Sequence, residues 1–231
     1  MRRRDRAGDD GRGARAAVTA LGRRGRTTRI PDAVRARVLA YARRQRAAGQ
    51  SWTRIARVVA QSEGLNLWDT ARLLALVNLA TADGFIAGME TKYKFNFWRP
   101  VTAIRAGDTD GNHRTVVDPE WSSLLNTPAI PDYTSTHSIL GGAASEVLRR
   151  FFHNDKVPFT TTSSVPFAGL TRSFASFSEA AAENGESRIY AGIHFRSTVE
   201  DGIKQGSQIG RFVFRHALKS LSDDDDGDHD R

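Results

Sequence analysis

Three short stretches of the chain hold residue types that together can handle a tetrahedral oxyanion. The first, KYKFNFWRP from Lys92 to Pro100, separates Lys92 and Arg99 by six residues where a long helix is expected to run out into loop. Two cations converging from a helix end and the following loop can grip an oxyanion, the guanidinium as a planar fork and the ammonium as a point charge. A solvated basic helix end is the ordinary alternative for any single pair. The second stretch, PDYTSTHS from Pro131 to Ser138, puts Ser135, Thr136 and His137 at a helix start, where unpaired N–H groups and the positive end of the dipole favour an anion. A plain cap by Ser135 and a structural His137 read equally well from this stretch alone. The third, SRIYAGIHFRSTVEDG from Ser187 to Gly202, sets Arg188 and His194 six residues apart across Gly192. It offers an arginine to bind equatorial oxygens and an imidazole to attack or ligate the central atom. Jointly the stretches place three cations, two histidines and a serine near helix boundaries, which core packing does not explain.

The elements that must position these groups follow from apolar periodicity. Pro31 starts a helix with Val34, Val38, Tyr41 and Ala42 on one face up to Gly49. Ser51 caps the next, whose face is Trp52, Ile55, Ala56 and Val59 and whose end is Gly64. A third helix is expected from Leu67 to Thr91 with Leu73, Leu76, Val77, Ala80 and Ala87 inward. The stretch from Asn96 to Thr136 is rich in proline, glycine, aspartate and asparagine and reads as ordered loop with short helical turns. Helical period returns over His137–Phe152, from Ser176 or Ser178 to Tyr190, and over Ser197–Leu221 with Ile203, Ile209, Val213, Phe214 and Ala217. No two-residue alternation and no repeat is found. The expected fold class is all-α, a helical bundle with its active groups on helix ends and loops. Its expected organisation is a basic disordered tail over 1–29, a helical catalytic domain over 30–221 and an acidic disordered tail over 222–231.

Composition narrows the function classes. The chain has 231 residues, 39% hydrophobic and 26% charged, the balance of a globular protein rather than a disordered one. Its formal charge of +8 is concentrated at one end: the first 50 residues hold fifteen arginines against four aspartates, and six aspartates follow Ser222. The body between is close to neutral, so no nucleic-acid partner is expected. GQSWTRIARVV, Gly49 to Val59, has the look of a helix-turn-helix entry, a low-ranking DNA-binding alternative because Trp52 and Ile55 serve better as core. No cysteine occurs, which excludes disulfides, thiolate zinc sites, iron–sulfur clusters and cysteine nucleophiles. The strongly apolar stretch Leu73–Ala82 stops at Asp83 after ten residues, half of the roughly 20 needed to cross a bilayer, so no transmembrane segment is expected. Ala16–Gly22 is too short and too weakly apolar for a secretory signal, which makes a cytoplasmic location the default expectation.

In order and spacing, Lys92 with Arg99 and Pro100, then Ser135 and His137, then Ser187, Arg188 and His194 resemble the three-part signature of the type 2 phosphatidic acid phosphatase (PAP2) and vanadium-dependent haloperoxidase superfamily. The stretch from Trp68 through Ala71, Arg72, Asn78 and Asp83 to NFWRPVTAIR is similar to the soluble bacterial haloperoxidase-like branch, as are VPF at Val157–Phe159 and FSEAA at Phe177–Ala181. The resemblance runs over residues 50 to 218.

It implies a helical bundle of the acid phosphatase and vanadium haloperoxidase type. It also implies that Lys92, Arg99 and Arg188 bind the equatorial oxygens of vanadate or phosphate, with Ser135 and the backbone N–H of Thr136 completing the cradle. His194 would be the axial ligand of vanadate, or the phosphate nucleophile of a phosphatase. His137 would be the acid–base residue in either chemistry. The leading implied function is a haloperoxidase with vanadate as cofactor, acting on hydrogen peroxide and a halide. The alternative is a soluble acid phosphatase without a cofactor, acting on phosphomonoesters.

The chain departs from the family pattern at three positions. Thr134 and Thr136 stand where the family usually has the proline before the serine and the glycine after it, and a β-branched Thr136 narrows the pocket. Thr198 stands four residues after His194, where phosphatases commonly place an aspartate, with Glu200 and Asp201 further along. Members of the haloperoxidase branch also resemble a pair of helical bundles and are longer. The resemblance therefore implies a catalytic bundle with a reduced or missing partner, and a homo-oligomer to cover its apolar faces.

Overall fold

The computed structural model describes residues 48–162 and 171–219. The two expected tails, and all but the end of the helix expected from Pro31 to Gly49, lie outside the described residues. Helix α1 spans Ala48–Ser62, so Ser51 falls inside it rather than capping it. Trp52, Ile55, Ala56 and Val59 recur every three or four residues and are all buried. Because α1 continues through Gly49–Ser51 and buries its apolar side, no helix-turn-helix entry forms there.

Helix α2 spans Leu67–Phe95 and begins where the Asn66 side chain accepts a hydrogen bond from the Asp69 N–H at 2.9 Å. It runs past the expected end at Thr91, so Lys92 sits inside its last turn. Asn96 closes it in the left-handed region at φ 44°, with its N–H donating to the Lys92 carbonyl at 2.8 Å. Leu73, Leu76, Val77 and Ala80 are buried as expected. Beyond them the inward side continues as Gly84, Gly88 and Lys92, and Ala87 is half-buried. Trp68, Leu79, Ile86 and Tyr93 are exposed on the outer side. The segment Leu67–Arg105 is long and apolar enough, by length and composition, to cross a membrane. The uninterrupted run ending at Ala82 had concealed this, because isolated charges such as Asp83 break the run without making the helix polar.

Within the loop that follows lie a short helix α3, Pro100–Arg105, with proline in its first turn, and a 3₁₀ turn at Gly107–Thr109. Helix α4, Thr136–Phe151, is the central element and is buried along most of its length. Strands β1, Phe159–Thr162, and β2, Thr171–Phe174, then pair antiparallel with Phe159 opposite Phe174. This hairpin was not expected, since four residues per strand are too few to establish an alternation. It closes one end of the core, where the Phe159 and Phe177 rings stack at 5.8 Å between centroids. Helix α5, Phe177–Tyr190, is capped by Ser176, whose hydroxyl accepts from the Glu179 N–H at 3.0 Å. Helix α6 spans Arg196–His216, short of the expected Leu221.

Helices α4 and α6 touch backbone to backbone. Gly202, Gly206 and Gly210 fall on one side of α6, and a Cβ there would lie 2.8 Å from the Ser135 carbonyl oxygen, 2.0 Å from that of Ile139 and 2.4 Å from that of Ala143. Gly142 of α4 returns the contact, its missing Cβ falling 2.3 Å from the Ile203 carbonyl oxygen. The inward side of α6 is therefore these glycines with Thr198, Val199 and Val213. Ile203, Ile209, Phe214 and Ala217 are half-buried along its flanks. Apolar periodicity marks where side chains fill space, and a contact made by absent side chains leaves no such mark.

Candidate active site

The close approach of α6 to α4 sets the first distances of the site. The Ser135 N–H donates to the Thr198 carbonyl at 3.0 Å, joining the start of α4 to the first turn of α6. Ser135 stands at the N-cap of α4 without capping it. Its buried hydroxyl instead accepts from the Ser138 hydroxyl at 2.9 Å, which leaves its own proton to donate. Thr136 is the first helical residue, so its N–H has no partner within the helix. Its Oγ1 is buried without a hydrogen-bond partner among the described residues. Room for this threonine comes from Gly88 of α2, where a Cβ would lie 3.4 Å from Thr136 Oγ1 and 2.9 Å from Ile139 Cδ1.

Lys92 and Arg99 reach the loop that carries Ser135. The Lys92 ammonium donates to the carbonyls of Pro131, Asp132 and Thr134 at 3.0, 2.9 and 2.7 Å, which occupies all three of its protons. Arg99 donates through Nε to the Ile130 carbonyl at 2.9 Å and through Nη1 to the Ile193 carbonyl at 2.8 Å. Nη1 also lies 3.1 Å from Nε2 of His194, and Nη2 makes no hydrogen bond among the described residues. Arg188, buried in the last turn of α5, donates through Nε to the Ser187 hydroxyl at 2.9 Å. Its carbonyl accepts from the Ile193 N–H at 3.2 Å, a turn made possible by Gly192 at φ 71°. The two arginines thus hold Ile193 from opposite ends of its peptide groups.

His194 is buried, and its surroundings decide its protonation. A guanidinium has donors only, so Nε2 facing Arg99 must be the acceptor nitrogen and the ring proton belongs on Nδ1. Nδ1 lies 2.8 Å from Oδ1 of Asp132, which is itself 3.4 Å from Arg99 Nη1. The Nδ1 separation is a hydrogen-bonding one, but the ring N–H points off the line to the oxygen. Both Asp132 oxygens accordingly lack an aligned donor. At this separation Asp132 still favours a proton on the ring. Burial pushes the imidazole down from its usual 6.5 to about 4; Asp132 opposes this, and Arg99 and Lys92 add to it. The ring is therefore neutral near pH 7. Burial also lowers the Lys92 ammonium to about 8, with Arg99 reinforcing and Asp132 opposing the shift, and holds the Arg99 guanidinium below its usual value.

The expected residues are linked to one another to different degrees. Lys92, Arg99 and His194 converge with Asp132, and Ser135 and Thr136 follow in the loop that Lys92 holds. Arg188 joins them through Ile193. His137 is half-buried in the first turn of α4, where its carbonyl accepts from the Asn184 amide at 2.7 Å. Thr198 was expected to replace a carboxylate beside His194. Its Oγ1 lies 3.4 Å from Nδ1 and donates to the Phe195 carbonyl at 2.9 Å. The acid beside the ring is Asp132, within PDYTSTHS and not among the expected site residues. Neither Glu200 nor Asp201 fills that role, since Glu200 is exposed and Asp201 takes the Tyr133 hydroxyl at 3.1 Å. The one available signal was an aspartate three residues before Ser135 in an otherwise uncharged segment.

Known proteins resemble this chain to different extents. A family model described as the VCPO second helical-bundle domain matches residues 72–223. The vanadium chloroperoxidase of Curvularia inaequalis is 28% identical over 183 residues, covering 60% of this chain and 29% of that protein. The crystal structure of the first bacterial vanadium-dependent iodoperoxidase aligns with a TM-score of 0.73 and 30% identity over 97% of this chain. It does so over 52% of its own length, so the chain spans about half of that relative or less than a third of the fungal one. A transmembrane PAP2-type phosphatidylglycerolphosphate phosphatase from Bacillus subtilis aligns over 95% of this chain with a TM-score of 0.53 and 15% identity, a likeness of fold.

Proposed function

Because the chain belongs to the family of the VCPO second helical-bundle domain, within the PAP2 and vanadium haloperoxidase superfamily, we propose that it binds vanadate and oxidises a halide with hydrogen peroxide. The observation that carries this reading is an imbalance of buried charge. Lys92 and Arg99 are each at most 6% exposed, and Asp132 is the acid set between them. Buried charges are costly unless paired, so the surplus calls for an anion. The donor set fits vanadate: an accepting imidazole nitrogen, arginine N–H groups, a serine hydroxyl and a helix-start N–H.

In this reading Arg99 and Arg188 hold the oxygens of the anion, with the Ser135 hydroxyl and the Thr136 N–H as further donors. Arg99 would release Nε2 of His194 in doing so, and that nitrogen would be the ligand. Lys92 acts through its charge and through the loop it fixes, since its three protons are already engaged. His137 takes a proton from hydrogen peroxide. The chemistry that bound vanadate supplies is Lewis-acid activation of hydrogen peroxide, which is reduced to water as the halide becomes hypohalous acid.

A second reading is favoured by the carboxylate beside His194. Attack of Nε2 on a phosphomonoester forms an N–P bond, breaks the ester P–O bond and leaves a cationic ring, which Asp132 would stabilise. His137 would then protonate the leaving alcohol. Bromide and iodide oxidation and p-nitrophenyl phosphate hydrolysis, measured on one preparation with and without vanadate, separate the two. The first reading expects vanadate-dependent halide oxidation that phosphate inhibits competitively. Phosphomonoester hydrolysis without any halide oxidation would replace it with the second.

A further inference from the structure

One buried ionisable group has no task in the haloperoxidase reading. Asp132 is fully buried, and its backbone is fixed independently of its side chain. Its N–H donates to the Phe97 carbonyl at 2.8 Å, and its own carbonyl accepts from Lys92 at 2.9 Å. The Phe97 and Phe195 rings meet edge to face at 5.8 Å between centroids, which ties the loop bearing Arg99 to the residue after His194. The loop therefore holds the carboxylate against the ring whether or not the two bond. A buried carboxylate is retained only where it has a partner, and Asp132 Oδ1 lies 2.8 Å from Nδ1 of His194 and 3.4 Å from Nη1 of Arg99.

Nδ1 and Nε2 face groups of opposite character. Nε2 meets a guanidinium that can only donate, and Nδ1 meets a carboxylate that can only accept. We propose that Asp132 is the positioning residue of His194, holding its ring proton on Nδ1 so that the Nε2 lone pair faces the bound anion. A carboxylate so placed orients a ligating imidazole and raises its basicity. In this chain it comes from the loop before α4, and position 198, one helical turn after His194, is left to a threonine. The consequence for anion binding rests on the vanadate reading. The placement of the proton does not.

The test uses the whole chain with inorganic vanadate and inorganic phosphate as separate probes, and Asp132→Ala, Asp132→Asn and Asp132→Ala/Thr198→Asp as variants. Phosphate bound without a bond to Nε2 gains nothing from Asp132, whereas vanadate held by Nε2 does. Asp132→Ala is expected to lower vanadate affinity about 10- to 100-fold relative to phosphate, and Asp132→Asn to give a smaller loss in the same ratio. Because Thr198 Oγ1 is 3.4 Å from Nδ1, an aspartate there can reach the ring, and the double variant should recover most of the ratio. An equal loss of both anions, or an unchanged ratio in both single variants, overturns the proposal.

A second readout needs no anion. In protein labelled with ¹⁵N-histidine, the wild type should show a downfield, exchange-protected proton coupled to Nδ1 of His194, and Asp132→Asn should lose it. The same resonance in both proteins overturns the proposal. Should neither anion bind the wild type, the vanadate reading fails while this resonance still decides the role of Asp132.

Discussion

Replacing Gly206 by alanine tests whether the site depends on backbone contact between α4 and α6. The added Cβ would lie 2.0 Å from the Ile139 carbonyl oxygen and 2.8 Å from the Ala143 nitrogen. No side chain can turn aside, because both atoms are backbone in the middle of a buried helix. Relief requires α6 to move away by about 1 Å or more, since carbon and oxygen in contact sit near 3.3 Å. Overpacking of this kind costs about 1–3 kcal/mol and more where the obstacle is rigid. Against it stands a gain of about 1 kcal/mol in helix propensity. The expected net loss is about 2 kcal/mol or more, which for a chain of this size lowers Tm by about 4–8 °C. Differential scanning calorimetry measures it, with Gly64→Ala as a comparison. Gly64 has φ 67° and nothing within 4 Å of its missing Cβ, so that variant carries only the local strain of about 1 kcal/mol. A Gly206→Ala protein as stable as the wild type would show that the helices are not in backbone contact. The reasoning that places Thr198 and His194 by that contact would then fall.

Three further outcomes are expected. Lys92→Met, which leaves the carbonyls of Pro131, Asp132 and Thr134 without their donor, should cost about 3 kcal/mol or more in the absence of any anion; urea denaturation without phosphate or vanadate checks it, and an unchanged midpoint would make Lys92 a ligand-binding group alone. Folding holds the His194 imidazole at about 4 against 6.5 unfolded, so between those values the unfolded chain binds more protons and stability should fall as pH drops from about 6.5 to about 4, by on the order of 3 kcal/mol; Tm against pH should show this decline and His194→Ala should flatten it. Thr198→Asp in the otherwise native chain should weaken phosphate binding about tenfold, because a second carboxylate enters a buried site that already holds Asp132; calorimetric titration reads it, and an unchanged affinity would mean that the added charge does not reach the anion.

The sequence disclosed the parts of this molecule that rest on apolar periodicity. The buried faces of α1 and of the first half of α2 were legible because Trp52, Ile55, Val59, Leu73, Leu76 and Val77 fill space at helical spacing. The second half of α2 and all of α6 were read less well for one reason. Gly84, Gly88, Gly202, Gly206 and Gly210 bury a helix by letting another approach, and absent side chains do not register as an apolar face. Residue types in three ordered stretches pointed to Lys92, Arg99 and His194, which the fold brings together. Asp132 stayed hidden because its partner is 62 positions away, and proximity in the fold rather than in the chain selects it.

That displacement of the acid explains why Lys92 and Arg99 are buried so deeply. A carboxylate one turn after His194 would be carried by the same helix and would need no further support. One delivered from a loop must have that loop fixed, and the carbonyls of Ile130, Pro131, Asp132 and Thr134 are taken by Arg99 or Lys92. The same two cations therefore organise the segment that presents Asp132 and Ser135 and supply positive charge to the site. In the vanadate reading the loop is ordered before any anion arrives, so entry of the anion would require Arg99 to give up one contact, Nη1 to Nε2, while the loop stays held. A site arranged in this way binds without first collecting its ligands, which lowers the entropic cost of closing it.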